Sequence, residues 1–444
     1  METEATSRPS IIASRIFTMD VLRGLALLGI LLMNIPFFGR AYHLYYNIDI
    51  LQEYSGPNYW TWWVVNVFFE GSMRGIFSIL FGAGSILLLK GLEKKSLPEG
   101  WTPADVYYRR LIWLLIFGMI NAYFFLWPGD ILYSYAIVGL FLFPFRNLNS
   151  TKLLAFGALF LVLSTAQYSL KLQEEGSIRK KGESALLAKK QNKVLTPEMK
   201  SDLEALKNYE IENSVAHFKT KVKETNEQMS GGYGTIWTEM AGVNEYIQTH
   251  DFYNEYFFDV LSFFLIGMAL LKLGFLSGQN SSKTYLLVLV IGYGIGIGLS
   301  LWFLETVKKL HFDQSMIAGV FDIHPYQIRR LALALGHISL VILVFKSGLA
   351  NSPLKILARV GQMAFTNYLM QTLICTTFFL GYGFAQFGKL QRYQLYEFVF
   401  CVWIFQMVFS WFWLQYFRLG PFEWLWRSLT YWKLQPIRKS AQAQ

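Results

Sequence analysis

Apolar residues in this chain come in long blocks, not at the three-to-four-residue spacing of an amphipathic surface helix. The block Val21–Phe38 is broken only by Arg23, Gly24, Gly29, Asn34 and Pro36. At about 1.5 Å per residue it reaches about 27 Å, enough to cross the hydrocarbon core of a bilayer. Similar blocks predict spans near 20–38, 60–91, 108–126, 130–145, 152–170, 255–273, 284–305, 328–345, 362–385 and 395–417. The second would cover about 48 Å against a core of about 30 Å. It is therefore expected to break at Gly71 and Gly75, with Trp60–Phe69 lying in the interface or re-entering. One long polar stretch, Lys171 to about Asp251, reads as a helical hairpin or partly ordered insertion and not as a catalytic domain. The expected fold is an all-α polytopic bundle of about ten transmembrane helices. It divides into a membrane half at 1–170, the insertion at 171–251 and a second membrane half at 252–444.

Composition agrees with that pattern. Hydrophobic residues make up 53% of the 444 and charged residues only 16%, against about 25% in soluble proteins. The net charge of +10 is explained by bases in short loops facing anionic lipid, so no nucleic-acid partner is expected. Arg8, Arg15, Arg23, Lys90, Lys94, Lys95, Arg109, Arg110, Arg146 and Lys152 collect on one side, followed by Lys272, Lys283, Lys346, Lys355, Arg359 and the basic tail. Arg40, Lys308, Lys309, Arg329, Arg330, Lys389 and Arg392 fall on the other, an excess of about threefold that predicts both termini in the cytoplasm. The insertion then lies outside. The first block is long and Asn34-Ile35-Pro36-Phe37 lacks a small-x-small cleavage pattern, so it is read as a retained helix. Cys375 and Cys401 both fall in apolar runs, as packing residues do.

Polar groups inside the spans are the candidates for chemistry, because each is costly there. At 100° per residue Asp20, Arg23 and Asn34 share one stripe of the first helix within about 60°. Glu70 and Arg74 stand four apart, where they would neutralise each other. Thr366, Asn367, Gln371 and Thr372 give the ninth span a hydrogen-bonding face, either a functional lining or interhelical glue. Gly292, Gly294, Gly296 and Gly298 form two overlapping small-xxx-small pairs for helix packing. Phe81-Gly82-Ala83-Gly84 loosely echoes Ile266-Gly267-Met268-Ala269, too little to argue an inverted repeat. Of six histidines only His337 lies in a span; His43, His217, His250, His311 and His324 fall on outer segments. His311-Phe312-Asp313 and Asp322-Ile323-His324 place a carboxylate nearby. No metal-ligand spacing, phosphate loop, GxSxG or dinucleotide fingerprint is present, and no metal is expected.

Several strings resemble the bacterial YeiB-like membrane family. They are Met19–Ile35, Leu80–Gly84, Arg109-Arg110, Gly129–Leu132 with Tyr135, Thr366-Asn367-Tyr368 with Gln371, Gly381-Tyr382-Gly383 and Gly420–Tyr431. The C-terminal third looks like that family's defining domain of unknown function. The resemblance implies a relation to transmembrane acyltransferases, which take acyl groups from cytoplasmic acyl-CoA and modify a sugar on the far side with a membrane-embedded histidine. Their histidine follows the equivalent asparagine by about ten residues, and here His43 follows Asn34 at a similar spacing. Family members often carry a histidine where this chain has Asn121, and an asparagine is no base near neutral pH.

Two functions stay open. In an acyltransferase of the cell inner membrane, Arg23, Lys90, Arg109 and Arg110 would receive the phosphates of acyl-CoA. Asp20, Asn34, Arg74, Asn121, Asn367 and Gln371 would bind substrate, and His43 first, then Asp130, would serve as base toward a glycan or lipid hydroxyl. In a transporter or a binding protein for a lipid or small molecule, the same stripe would be the path, with Asp130, Glu70 and Arg74 as coupling charges.

Overall fold

The computed structural model describes residues 16–94 and 97–439, so Arg8, Arg15 and Lys95 lie outside the described residues. Those described are helical throughout, apart from loops and one isolated bridge between Phe417 and Arg438. In chain order come α1 (Phe17–Gly39), α2 (Gly56–Val64), α3 (Ser72–Glu93), α4 (Pro103–Tyr123), α5 (Leu132–Leu140) and α6 (Ser150–Lys190). The insertion contributes α7 (Pro197–Glu212), α8 (Val215–Met229) and α9 (Tyr233–Tyr246). Then follow α10 (Phe257–Lys272), α11 (Ser282–Lys309), α12 (Gln314–Ile317) and α13 (Tyr326–Ser347). The chain ends in α14 (Asn351–Gln362), α15 (Ala364–Phe379), α16 (Arg392–Tyr416) and α17 (Pro421–Tyr431). Wide π-helical turns join α2 toward α3 (Val65–Phe69) and α9 to α10 (Ile247–Tyr256).

Among the described residues seven helical stretches are long and apolar enough to span a membrane: α1, α2–α3, α6, α9–α10, α11, α13 and α16. The other three expected spans are also helical. Of these, α5 has 9 residues and α15 has 16, short of the ~20 that a straight span needs. Asp105, Arg109 and Arg110 dilute the apolar character of α4.

The bundle is built around α1, whose side chains are buried along nearly its whole length against α3, α14, α15 and α16. Its approach to α14 needs glycine on both sides. A Cβ on Gly24 would sit 2.0 Å from the Leu357 carbonyl oxygen, and one on Gly361 would sit 1.9 Å from that of Asp20. The crossing of α3 and α10 is the same kind of contact, with Gly82 against the Phe264 carbonyl at 2.0 Å and Gly267 against Ile79 at 1.9 Å. The two weakly similar strings are therefore the two faces of one helix crossing. In α11 only Gly292 and Gly296 meet α13, while Gly294 and Gly298 face open space.

The long second span breaks at Gly71 alone. Glu70 turns extended (φ −54°, ψ 121°) and Gly71 takes φ 70°, a conformation that suits glycine. Gly75 stays helical and admits Phe263, which would lie 2.8 Å from a Cβ there. The insertion is ordered and has no linkers at its expected ends: 171 falls inside the 41-residue helix α6, and 252 inside the second π-helical turn. α7 folds back on α6, with Leu206 packed against Gly182, and α8 reaches the short turn Tyr42–Leu44 that follows α1.

Replacing Gly267 by Val should drive α3 and α10 apart. The thermal unfolding midpoint of the detergent-purified protein should fall by several degrees, whereas Gly294→Val leaves it within about a degree.

Candidate functional site

Two polar centres are held inside the bundle and a third lies at one end of it. The first corrects an expectation. Glu70 and Arg74 do not pair, because the Gly71 break removes the helical register that would align them. Glu70 is bound instead by Arg329 and by the Tyr46 hydroxyl at 3.1 Å. Arg74 bonds Asp259 at 3.0 Å, and Arg330 grips the same carboxylate with both terminal nitrogens, one of them at 2.9 Å. Asp259 and Arg330 are 0% and 1% exposed. Arg330 lies over the rings of Phe263 and Tyr326. His337 is tied in below, accepting or donating at Tyr293 Oη (2.8 Å) and at the Phe68 carbonyl (2.8 Å) that the π-turn frees. The carbonyl can only accept, so Nε2 carries the proton and Nδ1 accepts from Tyr293.

The second centre is Asp130, in the turn between α4 and α5. Asn121 Nδ2 donates to its Oδ1 at 2.8 Å, Tyr368 Oη to the same oxygen at 3.3 Å, and the Tyr133 amide to Oδ2 at 2.9 Å. Tyr368 in turn accepts from the Ile131 amide at 3.1 Å. Gly118 lets the turn approach α4, since a Cβ there would lie 2.9 Å from Asp130 Oδ2. The Leu132 amide also reaches the carboxylate, so its roughly four acceptor sites are all engaged. Sequence reasoning singled out Asp130 and Asn121 but missed Tyr368, whose place in Thr366-Asn367-Tyr368 was the available signal.

The third centre is at the opposite end of α4. Arg23 pairs with Asp20 at 2.8 Å, as their spacing suggests. Arg110 stacks over Trp426 at 3.7 Å and has no ion pair with a carboxylate among the described residues, and Arg23, Arg427 and Glu423 lie within electrostatic range of it. Arg109 lies between Trp101 (4.1 Å) and Trp432 (5.3 Å). Glu423 of α17 caps α15, accepting from the amides of Phe365 (2.7 Å) and Thr366 (3.1 Å) and from the Thr366 hydroxyl (2.5 Å). Bidding for the amides at a helix start is what a carboxylate does well, yet nothing in the sequence joins residues 365 and 423.

Other candidates are placed elsewhere. Asn34 is half-buried on α1. Asn367 Nδ2 bonds Ser410 Oγ at 2.9 Å and Gln371 Nε2 bonds Gln406 Oε1 at 3.0 Å, so both side chains donate across helices to α16. His43 is half-buried between Tyr42 and Phe218, and its Nδ1 has no partner. Burial, then His217 and Lys221, lower its pKa, so it is neutral at pH 7. Among the described residues no hydrogen bond or ring contact joins His43 to Asp130. His311 bonds Asp49 at 2.8 Å and not Asp313, which binds Arg179. His324 packs against Tyr168 and Phe303 instead of Asp322, and burial beside Arg329 lowers its pKa to about 4. Cys375 and Cys401 are both free thiols. Among the described residues no three His, Cys, Asp or Glu side chains form a group that could hold a metal.

A family model described as "Protein of unknown function (DUF418)" matches residues 270–433. The chain is 31% identical to the uncharacterized protein YeiB of Escherichia coli, over 93% of this chain and 95% of that protein. It is 28% identical to the uncharacterized protein YxaH of Bacillus subtilis, over 98% and 99%. It is 26% identical to an uncharacterized 39.9 kDa protein encoded beside an amylase in Bacillus acidopullulyticus, over 98% and 99%. No solved structure matches. The chain belongs to the YeiB family of membrane proteins.

Two measurements test this geometry. A double-mutant cycle on stability should give a coupling of about 1 kcal/mol or more for Glu70 with Arg329 and close to zero for Glu70 with Arg74. A histidine with a lowered pKa favours its neutral form in the folded protein, so the stability it contributes is present above pH ~6.5 and lost as pH falls toward 4. The unfolding midpoint should therefore drop across that window, and His324→Gln should flatten the drop.

Proposed function

We propose that this protein is a transmembrane acyltransferase of the cell inner membrane. It would move an acyl group from cytoplasmic acyl-CoA to a hydroxyl of an extracytoplasmic glycan or lipid. The observation that carries the reading is Asp130, a carboxylate held inside the bundle by Asn121, Tyr368 and the Tyr133 amide with no basic partner among the described residues. The arginine cluster at the other end of α4 supports it. Among the described residues Arg110 and Arg427 have no carboxylate bonded to them, and Arg110 is flattened on Trp426, an arrangement suited to the phosphates of a nucleotide-bearing donor.

In this reading Arg23, Arg110 and Arg427 hold the donor phosphates on the cytoplasmic side. Asp130 accepts the proton of the acceptor hydroxyl as its oxygen attacks the thioester carbonyl. The carbon–sulfur bond then breaks, and the departing thiolate takes up the proton. Asn121 and Tyr368 orient the carboxylate without themselves exchanging a proton, which suits a chain in which residue 121 is no base. His43, neutral but distant in contacts from Asp130, serves the outer surface where the acceptor arrives.

Purified protein incubated with labelled acetyl-CoA and envelope glycan or lipid fractions should transfer label. General-base catalysis contributes about 10²–10⁴-fold. Asp130→Asn should lose activity on that scale while still being stabilised by acetyl-CoA, and Arg110→Ala should lose the stabilisation. The absence of both transfer and stabilisation by any acyl-CoA would sink the reading. Ion-dependent uptake that survives Asp130→Asn would favour transport instead.

A further inference from the structure

The Glu70–Asp259 cluster carries more positive charge than its own acids neutralise. Three guanidiniums, Arg74, Arg329 and Arg330, face two carboxylates. The neighbouring groups do not correct this: Glu255 is taken by Lys171, and Asp251 lies beside His250 at 3.2 Å. His324, with its pKa near 4, is neutral. Uncompensated charge at this depth is costly, and buried arginines are expected to be matched.

The spare charge has an accessible outlet. Arg329 and Arg330 are 5% and 1% exposed, and the Nε of each is buried without a partner. Arg74 is 26% exposed. Only one of its nitrogens is engaged, by Asp259, and its guanidinium lies 5.2 Å from the Tyr256 ring centroid. Tyr168 and Tyr326 stack at 5.4 Å, and both lie within electrostatic range of Arg74. The hydroxyls of Tyr168, Tyr256 and Tyr326 make no hydrogen bond among the described residues, and all three side chains are half-buried. Arg74 and the three tyrosine hydroxyls thus form a group of hydrogen-bond donors around one excess positive charge.

Its level in the bilayer is set by the helices that build it. Arg74, Asp259 and Arg329–Arg330 each lie in or next to the first turn of an apolar helix, α3, α10 and α13. Tyr168 lies where the apolar part of α6 gives way to the insertion. All four positions are therefore at the insertion-side end of the spans, the depth at which lipid phosphates lie.

We propose that this donor cluster binds a phosphate oxyanion of net charge −1, supplied by the headgroup of an anionic lipid in the insertion-side leaflet. Arg74 and the tyrosine hydroxyls contact it, while Asp259 and Arg330 hold Arg74 in place. The site is separate from Asp130 and does not depend on the acyltransferase reading.

The test is thermal unfolding of the full chain in non-ionic detergent with phosphatidylglycerol, phosphatidylcholine or inorganic phosphate added. Wild type and Arg74→Lys should be stabilised by phosphatidylglycerol. In Arg74→Gln, which still has Arg330 on Asp259, half-maximal stabilisation should need at least tenfold more lipid. Tyr168→Phe combined with Tyr256→Phe should weaken the effect without altering charge, and decides the matter if Arg74→Gln fails to fold. Inorganic phosphate acting alone with the same dependence on Arg74 or the two tyrosines supports the oxyanion site and shows that the free ion suffices. No stabilisation of wild type, equal stabilisation by phosphatidylcholine, or an effect unchanged in the variants overturns the proposal.

Discussion

A buried ion must be answered by a counter-ion from another helix, and that requirement ties the central helices of this bundle together. Asp259 is the point where it acts most strongly, because α10 meets both α3 and α13 there through one carboxylate and two arginines. Removing that carboxylate would leave Arg330 buried and unanswered, a change that typically costs about 3–5 kcal/mol. The pair Glu70–Arg329 fastens the same two helices a turn away. A third buried group, Arg40 and Arg392 on Glu53, closes the loop after α1 onto α16, and Arg392 also bonds the carbonyls of Leu44 and Tyr45. Charge therefore pins α3, α10 and α13 to one another, where apolar contact alone would compete with lipid.

Glycine determines how close those neighbours come. The pairs Gly24–Gly361 and Gly82–Gly267 bring backbone to within van der Waals contact of backbone. At such separations side chains of ordinary length reach across the interface. Gln371 on α15 reaches the Leu27 carbonyl of α1 and Gln406 of α16, and Asn367 reaches Ser410. These amides hold α1, α15 and α16 as a unit, beside which Tyr368 turns toward Asp130.

Much of this could be read from the residue pattern, and the failures have a common cause. Each apolar block contains a helix near its expected place, because that signal is local and about twenty residues long. Asp20–Arg23 is local too, and it forms. Glu70–Arg74 is equally close along the chain and does not form, because one residue between them, Gly71, takes a left-handed conformation. The partners of Glu70, Arg74, Asp130 and Thr366 are Arg329, Asp259, Tyr368 and Glu423, each from 57 to 259 positions away. No spacing rule reaches that far. His311 and His324 failed likewise, since their loops turn them from the adjacent acids to Asp49 and to aromatic rings.

The separation between Glu70 and Arg329 also bears on how the chain is made. They are 259 positions apart, so at a synthesis rate of about 5–20 residues per second the acid is produced roughly 10–50 s before its base. During that interval the first helices are already in or near the membrane with a carboxylate that lacks its mate. Assembly of the finished bundle thus ends with a charge pairing between helices made far apart in time, and a nascent chain stalled before α13 would hold the acid without its base.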